Sequence, residues 1–249
     1  MRIESITINS SGLQVPAIEI APAGPIGAAV LVHGYGGCKE EMLGLALHVA
    51  EHCLAAFCID LRGHGENPLP FDAGVIEDLE AAIRHARGFG RVASIGHSLG
   101  GRLSLESSAD LRIGISPPLE TTYGPRTQDM LEKLRGQRVR VESPDTIFKL
   151  LAGLPRWNGR DDPRTMIIYG SKDIREIVAS CDQLRCSMKN VVMVEGARHN
   201  ETHLLQRTYE AISERLDGEF AGARAAFPIS ETGAELKSHL GTMPQQITH

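Results

Sequence analysis

Long apolar runs are missing from this chain of 249 residues. The longest, Cys53 to Ile59, has seven residues, against the roughly 18 that a bilayer crossing requires, so no membrane insertion is expected. The opening MRIESITINS is polar from its second residue and lacks the apolar core of a signal peptide, which points to the cytoplasm. An excess of cations is missing too. The formal net charge is −5, and phosphate backbones demand the opposite sign, so no nucleic-acid partner is expected. Cysteine is sparse: Cys38, Cys53, Cys58, Cys181 and Cys186 form an odd set without C-x-x-C spacing, read as free thiols and not as a disulfide framework or a zinc site. G-x-G-x-x-G does not occur. Neither a cofactor nor a metal is expected.

What is present is an ordinary globular composition, 42% hydrophobic and 23% charged. Short continuous apolar runs at Gly27–Val32, Cys53–Ile59, Val92–Ile95, Ile113–Ile115, Met166–Tyr169 and Val191–Val194 predict strands buried on both faces. Between them lie segments with helical spacing: Glu40–His52, Val75–Ala86, Ser98–Ser108, Ile174–Leu184 and Thr202–Leu216. The alternation predicts an α/β fold with a mostly parallel twisted sheet and helices on both faces, whose sites form at the carboxyl ends of strands. Ahead of it, Arg2–Asn9 and Leu13–Ile20 predict an edge hairpin turned at Ser10-Ser11-Gly12. The alternation fails from Pro117-Pro118 to Asp161-Asp162-Pro163, where only two short helices, Gln128–Leu134 and Asp145–Ala152, are expected. The expected division is a core of residues 1–118 and 163–227, a small helical cap insertion at 119–162, and a frayed C-terminal tail at 228–249 in which ISETGAELKSHL is a helix candidate.

Chemistry concentrates in Gly96-His97-Ser98-Leu99-Gly100-Gly101, a G-x-S-x-G set between the strand ending at Ile95 and the helical segment after it. A serine in so tight a turn stands clear of its neighbours, and the helix N-terminus offers unpaired N–H groups to a developing oxyanion. A hydroxyl needs a base, and the base needs an orienting group. His199, in the loop after Val191–Val194, stands at the carboxyl edge that must also carry Ser98. His203, expected inside the next helix, is weaker, and His48, His52 and His85 read as surface or packing residues. Asp173 follows Met166–Tyr169 on the neighbouring strand, whereas Asp182 falls mid-helix and Asp145, Asp161 and Asp162 belong to the insertion.

The order Ser98, Asp173, His199 resembles that of the α/β-hydrolase superfamily, specifically its serine esterases and lipases, over about Ala28 to Leu216. His33-Gly34-Tyr35-Gly36-Gly37 resembles the loop that supplies half of that family's oxyanion hole. The resemblance implies that the backbone N–H groups of Tyr35 and Leu99 hold the carbonyl oxygen. Asp60-Leu61-Arg62-Gly63-His64-Gly65 resembles a structural turn of the same family. Relatives that open epoxides or remove halides carry aspartate at the elbow, so Ser98 disfavours that chemistry. The expected function is hydrolysis of small to medium carboxylic esters through an acyl-enzyme, on a small-molecule substrate. A thioesterase, peptidase or triad-using lyase of the same fold, or a slowly turning over ligand-binding protein, remains the alternative.

Specificity is expected from the insertion. Arg135-Gly136-Gln137-Arg138-Val139-Arg140 is a candidate anion receptor, although a solvated surface is the stronger expectation. Leu150, Leu151, Leu154 and Trp157 are candidates for an apolar acyl pocket, with packing onto the core an equal reading. Cys38, at a helix start, is expected to have a lowered thiol pKa and to be open to oxidation.

Overall fold

The computed structural model describes residues 1–135, 138–141, 143, 146–155, 157 and 162–226. The predicted tail at 228–249, and the insertion's Gly136, Gln137, Asp145, Arg156, Arg160 and Asp161, lie outside them.

Eight strands form one sheet: β1 (Arg2–Ser10), β2 (Leu13–Ala21), β3 (Gly27–Val32), β4 (Leu54–Ile59), β5 (Val92–His97), β6 (Leu111–Ile115), β7 (Thr165–Gly170) and β8 (Val191–Val194). Their spatial order is β1-β2-β4-β3-β5-β6-β7-β8. The β1–β2 and β2–β4 pairs are antiparallel, and every pair from β4 to β8 is parallel. The predicted hairpin stands at the edge, and its two-residue loop places Ser11 and Gly12 both at positive φ, the conformation whose twist suits such a turn.

Burial follows strand position. In β3, β4, β5 and β7 every residue is buried, which is why these segments read as unbroken apolar runs. Successive side chains serve opposite faces. Val30 and Val32 pack on one side with Leu79 and Ile83 of helix α2 (Val75–Ala86), while Ala29 and Leu31 pack on the other with Leu45 and Val49 of α1 (Leu43–Glu51) and Ile212 of α7 (Gln206–Ala226). The remaining helices are α3 (Leu99–Glu106), α4 (Pro125–Met130), α5 (Thr146–Gly153) and α6 (Arg175–Arg185).

Helix α4 begins three residues before the predicted Gln128, because Pro125 occupies its first turn, where the fixed φ and missing N–H cost nothing. It runs into a π-helical turn at Leu131–Arg135. Among the described residues, several hydrogen bonds fasten the stretch between β6 and β7 to its surroundings. Arg140 N–H donates to the Gly63 carbonyl and Phe71 N–H donates to the Arg140 carbonyl, at 2.9 and 2.8 Å. The Glu176 carboxylate accepts from Gly124 N–H and the Thr127 hydroxyl, each at 3.0 Å. The Arg102 guanidinium, buried in α3, donates to the Pro155 carbonyl.

Candidate active site

The chain turns from β5 into α3 through Ser98, whose φ of 52° lies in the left-handed region that costs a side-chain-bearing residue about 1–3 kcal/mol. Close packing holds it there. A Cβ on Gly96 would sit 2.1 Å from the Gly100 carbonyl oxygen, and one on Gly100 would sit 2.3 Å from that of Val32. Ser98 N–H donates to the Ile115 carbonyl at 2.8 Å, which ties the turn to β6.

Two neighbouring loops bring the partners. After β7, Ser171 N–H and Lys172 N–H donate to the carbonyls of Val194 and Ala197, so the loops following β7 and β8 are laced together. Asp173 and His199 emerge from them face to face, with His199 Nδ1 2.7 Å from Asp173 Oδ1. His199 Nε2 lies 2.9 Å from Ser98 Oγ. The three predicted residues therefore form one hydrogen-bonded line. The Asp173 carboxyl is fully buried. Burial pushes its pKa up, but hydrogen bonds from His199, Ser116 and the Ile174 N–H, with the charge His199 can carry, outweigh that and hold it below the ordinary carboxylate range.

Sequence reasoning missed Ser116, whose hydroxyl donates to Asp173 Oδ2 at 2.5 Å. Its signal was its place directly after β6, at the same sheet edge as Ser98, yet Ser116-Pro117-Pro118 read only as the start of an insertion. It missed His97 too. The ring Nε2 of His97 donates to the His199 carbonyl at 2.8 Å, and the ring lies 4.3 Å, centroid to centroid, from His203. His203 is not in the following helix. It sits in a 3₁₀ turn, Thr202–Leu204, and lines the cleft.

The loop bearing Tyr35 lies against the elbow: a Cβ on Gly34 would stand 3.2 Å from that of Ser98. His33 braces the loop, its Nδ1 donating to the Gly34 carbonyl while its Nε2 accepts from Leu61 N–H. Burial holds this imidazole neutral, with a pKa lowered to about 4. Below, Lys39 ties the loop's end to the Asp60 turn through Nζ–carboxylate contacts of 2.7 Å to Asp60 and 2.9 Å to Glu66.

Two compartments meet at Ser98 and His199. The wider, about 350 Å³, is lined by Tyr35, Glu41, Met130, Asn200, His203 and Leu204 among others. The narrower, about 30 Å³, is apolar, with Leu131, Ile147, Leu151, Ile174 and Ile177 in its wall. Of the predicted pocket residues only Leu151 lines it. Leu150, Leu151 and Leu154 all pack in the core, and Trp157 packs beside Ile167 and Tyr169. Of the predicted arginine cluster, Arg140 is not free to receive an anion, since its guanidinium donates to the carbonyls of His64, Gly65 and Asn67. The thiol of Cys38 shifts opposite to expectation: burial and a hydrogen bond with Glu40 push its pKa up. His48 and His52 bond to Ser213 across the α1–α7 seam, and His85 packs edge-on against Phe57, all away from the cleft. Among the described residues no group of three or more His, Cys, Asp or Glu is placed to hold a metal ion, and no helix is long and apolar enough to cross a membrane.

A parallel sheet with this strand order and a strained strand-to-helix turn at its carboxyl edge defines the α/β class of hydrolases. The model of the Alpha/beta hydrolase family matches residues 29–182, more than half of the chain, and the chain belongs to that family. Among solved structures it is similar to the alpha/beta hydrolase GrgF from Penicillium sp. sh18, with a TM-score of 0.71 and 16% identity over 89% of this chain and 100% of that one. It is similar to a putative aryl esterase from Burkholderia cenocepacia, with a TM-score of 0.65 and 14% identity over 88% and 100% of the two chains. Est1E from Butyrivibrio proteoclasticus gives a TM-score of 0.64 and 17% identity over 87% and 99%. At these identities the likeness is one of fold. No curated protein sequence matches the chain.

Proposed function

We propose that this hydrolase is a serine esterase that cleaves carboxylic esters of small to medium acyl groups through an acyl-enzyme. The observation that carries the reading is the Ser98–His199–Asp173 line, at 2.9 and 2.7 Å, open to a cleft. Ser98 Oγ attacks the ester carbonyl as His199 Nε2 takes its proton, and the backbone N–H groups of Tyr35 and Leu99 receive the oxyanion. The imidazolium gives the proton to the departing alcohol. Water, deprotonated by the same imidazole, then attacks the acyl-enzyme and releases the acid with Ser98 restored. Asp173 orients the ring and stabilises its charged form. Residues 119–162 act as the cap, since Leu131, Ile147 and Leu151 from that stretch wall the narrower compartment. Five unpaired cysteines support a reducing, cytoplasmic setting.

The test is labelling with a fluorophosphonate, together with turnover of p-nitrophenyl esters. Wild type is expected to label at Ser98 and to hydrolyse short esters, and Ser98→Ala to lose about 10⁴- to 10⁶-fold in kcat. A folded Ser98→Ala variant with undiminished turnover would overturn the assignment.

A further inference from the structure

The described residues that line the cleft carry formal charge of one sign apart from the triad's own residues. Among the described residues lining its two compartments, no lysine or arginine appears, and the only carboxylate is that of Glu41. Asp173 does not compete for substrate, being fully buried behind His199. Glu41 sits in the 3₁₀ turn Lys39–Met42, its N–H donating to the Cys38 carbonyl, and its carboxylate leans over Gly37 at the end of the Tyr35 loop. Among the described residues its ion-pair partner is Arg138, with Nη1 at 4.0 Å, at the outer limit of an ion pair and 65% exposed, a contact that water and salt weaken. The carboxylate is thus held at the cleft with an exposed, replaceable partner.

The compartments divide the substrate between them. The narrower is apolar and suits a short acyl chain. The wider carries Asn200 and His203 beside His199, the residue that must reach the departing oxygen, so it takes the alcohol. We infer that Glu41 selects esters whose alcohol part carries a positive charge, an ammonium-bearing amino alcohol, and disfavours those whose alcohol part carries a carboxylate or phosphate. The inference rests on Ser98 being the nucleophile. A unit pair a few ångströms apart, between surface-like and bulk dielectric, is worth about tenfold in selectivity.

The experiment compares kcat/KM for three acetate esters of matched shape, with alcohols ending in a trimethylammonium, a tert-butyl and a carboxylate group. Each ratio to the neutral ester is taken within one variant, so general effects of a substitution cancel. Wild type is expected to favour the cation about tenfold over the neutral ester, and less so as salt rises. Glu41→Gln is expected to bring that ratio to near one, and Arg138→Ala to raise it. A wild-type ratio near one, or a cation preference retained in Glu41→Gln, overturns the inference. Failure of the underlying reading is separate: the neutral ester would then be hydrolysed by Ser98→Ala as fast as by wild type.

Discussion

Removing the Ser116 hydroxyl isolates one oxygen of a buried charge. Asp173 Oδ1 accepts from His199 Nδ1 and from Ile174 N–H, each at 2.7 Å, whereas the described donor to Oδ2 is Ser116 alone. In Ser116→Ala that oxygen stays buried without a donor. A hydrogen bond to a charged group contributes about 1.5–3 kcal/mol, and Tm moves by about 2–4 °C per kcal/mol in a chain of this size, so a loss of about 3–12 °C is expected at pH 7. The pH dependence follows from the sign of the shift. Asp173 ionises below its ordinary range in the folded protein, so its contribution is complete above the unfolded pKa of about 3.9 and is lost as pH falls through the folded value. The variant raises the folded pKa. The gap between the two melting curves should therefore be widest near neutrality and shrink as pH drops through 4 and below. Calorimetry from pH 7 to pH 3.5 reads it directly. Curves that coincide at pH 7, or a gap that does not change with pH, would refute the reasoning.

Two further outcomes follow from packing. Leu151→Ala should enlarge the narrower compartment and move the best p-nitrophenyl ester to a longer acyl chain, at a stability cost of about 2–5 kcal/mol; an unchanged chain-length profile would count against that compartment as the acyl site. Gly100→Ala should abolish cooperative folding, since its new Cβ would meet the Val32 carbonyl oxygen at 2.3 Å, while Gly88→Ala, with no atom within 4 Å of its Cβ position, should melt as wild type does.

The sheet and the Ser98, Asp173 and His199 positions were legible because each left a local mark: an apolar run, then a polar residue of the right type at its carboxyl end. Ser116 left the same mark, but the two prolines after it suggested a boundary and nothing more. His97, His203 and Glu41 were illegible for another reason. Their importance comes from which backbones fold beside them, His97 by the His199 carbonyl and Glu41 by Gly37, and no periodicity encodes such contacts. Cys38 went the wrong way because its burial and the neighbouring Glu40 carboxylate, which no helix-start pattern reveals, outweigh the backbone N–H groups that favour the thiolate. In the insertion, apolar residues of equal appearance differ in ways that spacing alone cannot separate: Leu150, Leu151 and Leu154 all pack in the core, and Leu151 alone of them also lines the narrower compartment.

The attachments of the stretch between β6 and β7 bear on the narrower compartment, whose wall that stretch supplies in part. Arg140 pairs in both directions with the segment from Gly63 to Phe71, Glu176 grips the start of α4, and Arg102 holds Pro155. These ties hold described parts of the stretch, Gly124, Thr127, Arg140 and Pro155, against the core. Glu176→Ala or Arg102→Ala, each removing one tie, should therefore alter the chain-length preference through Leu131, Ile147 and Leu151 without touching Ser98, Asp173 or His199.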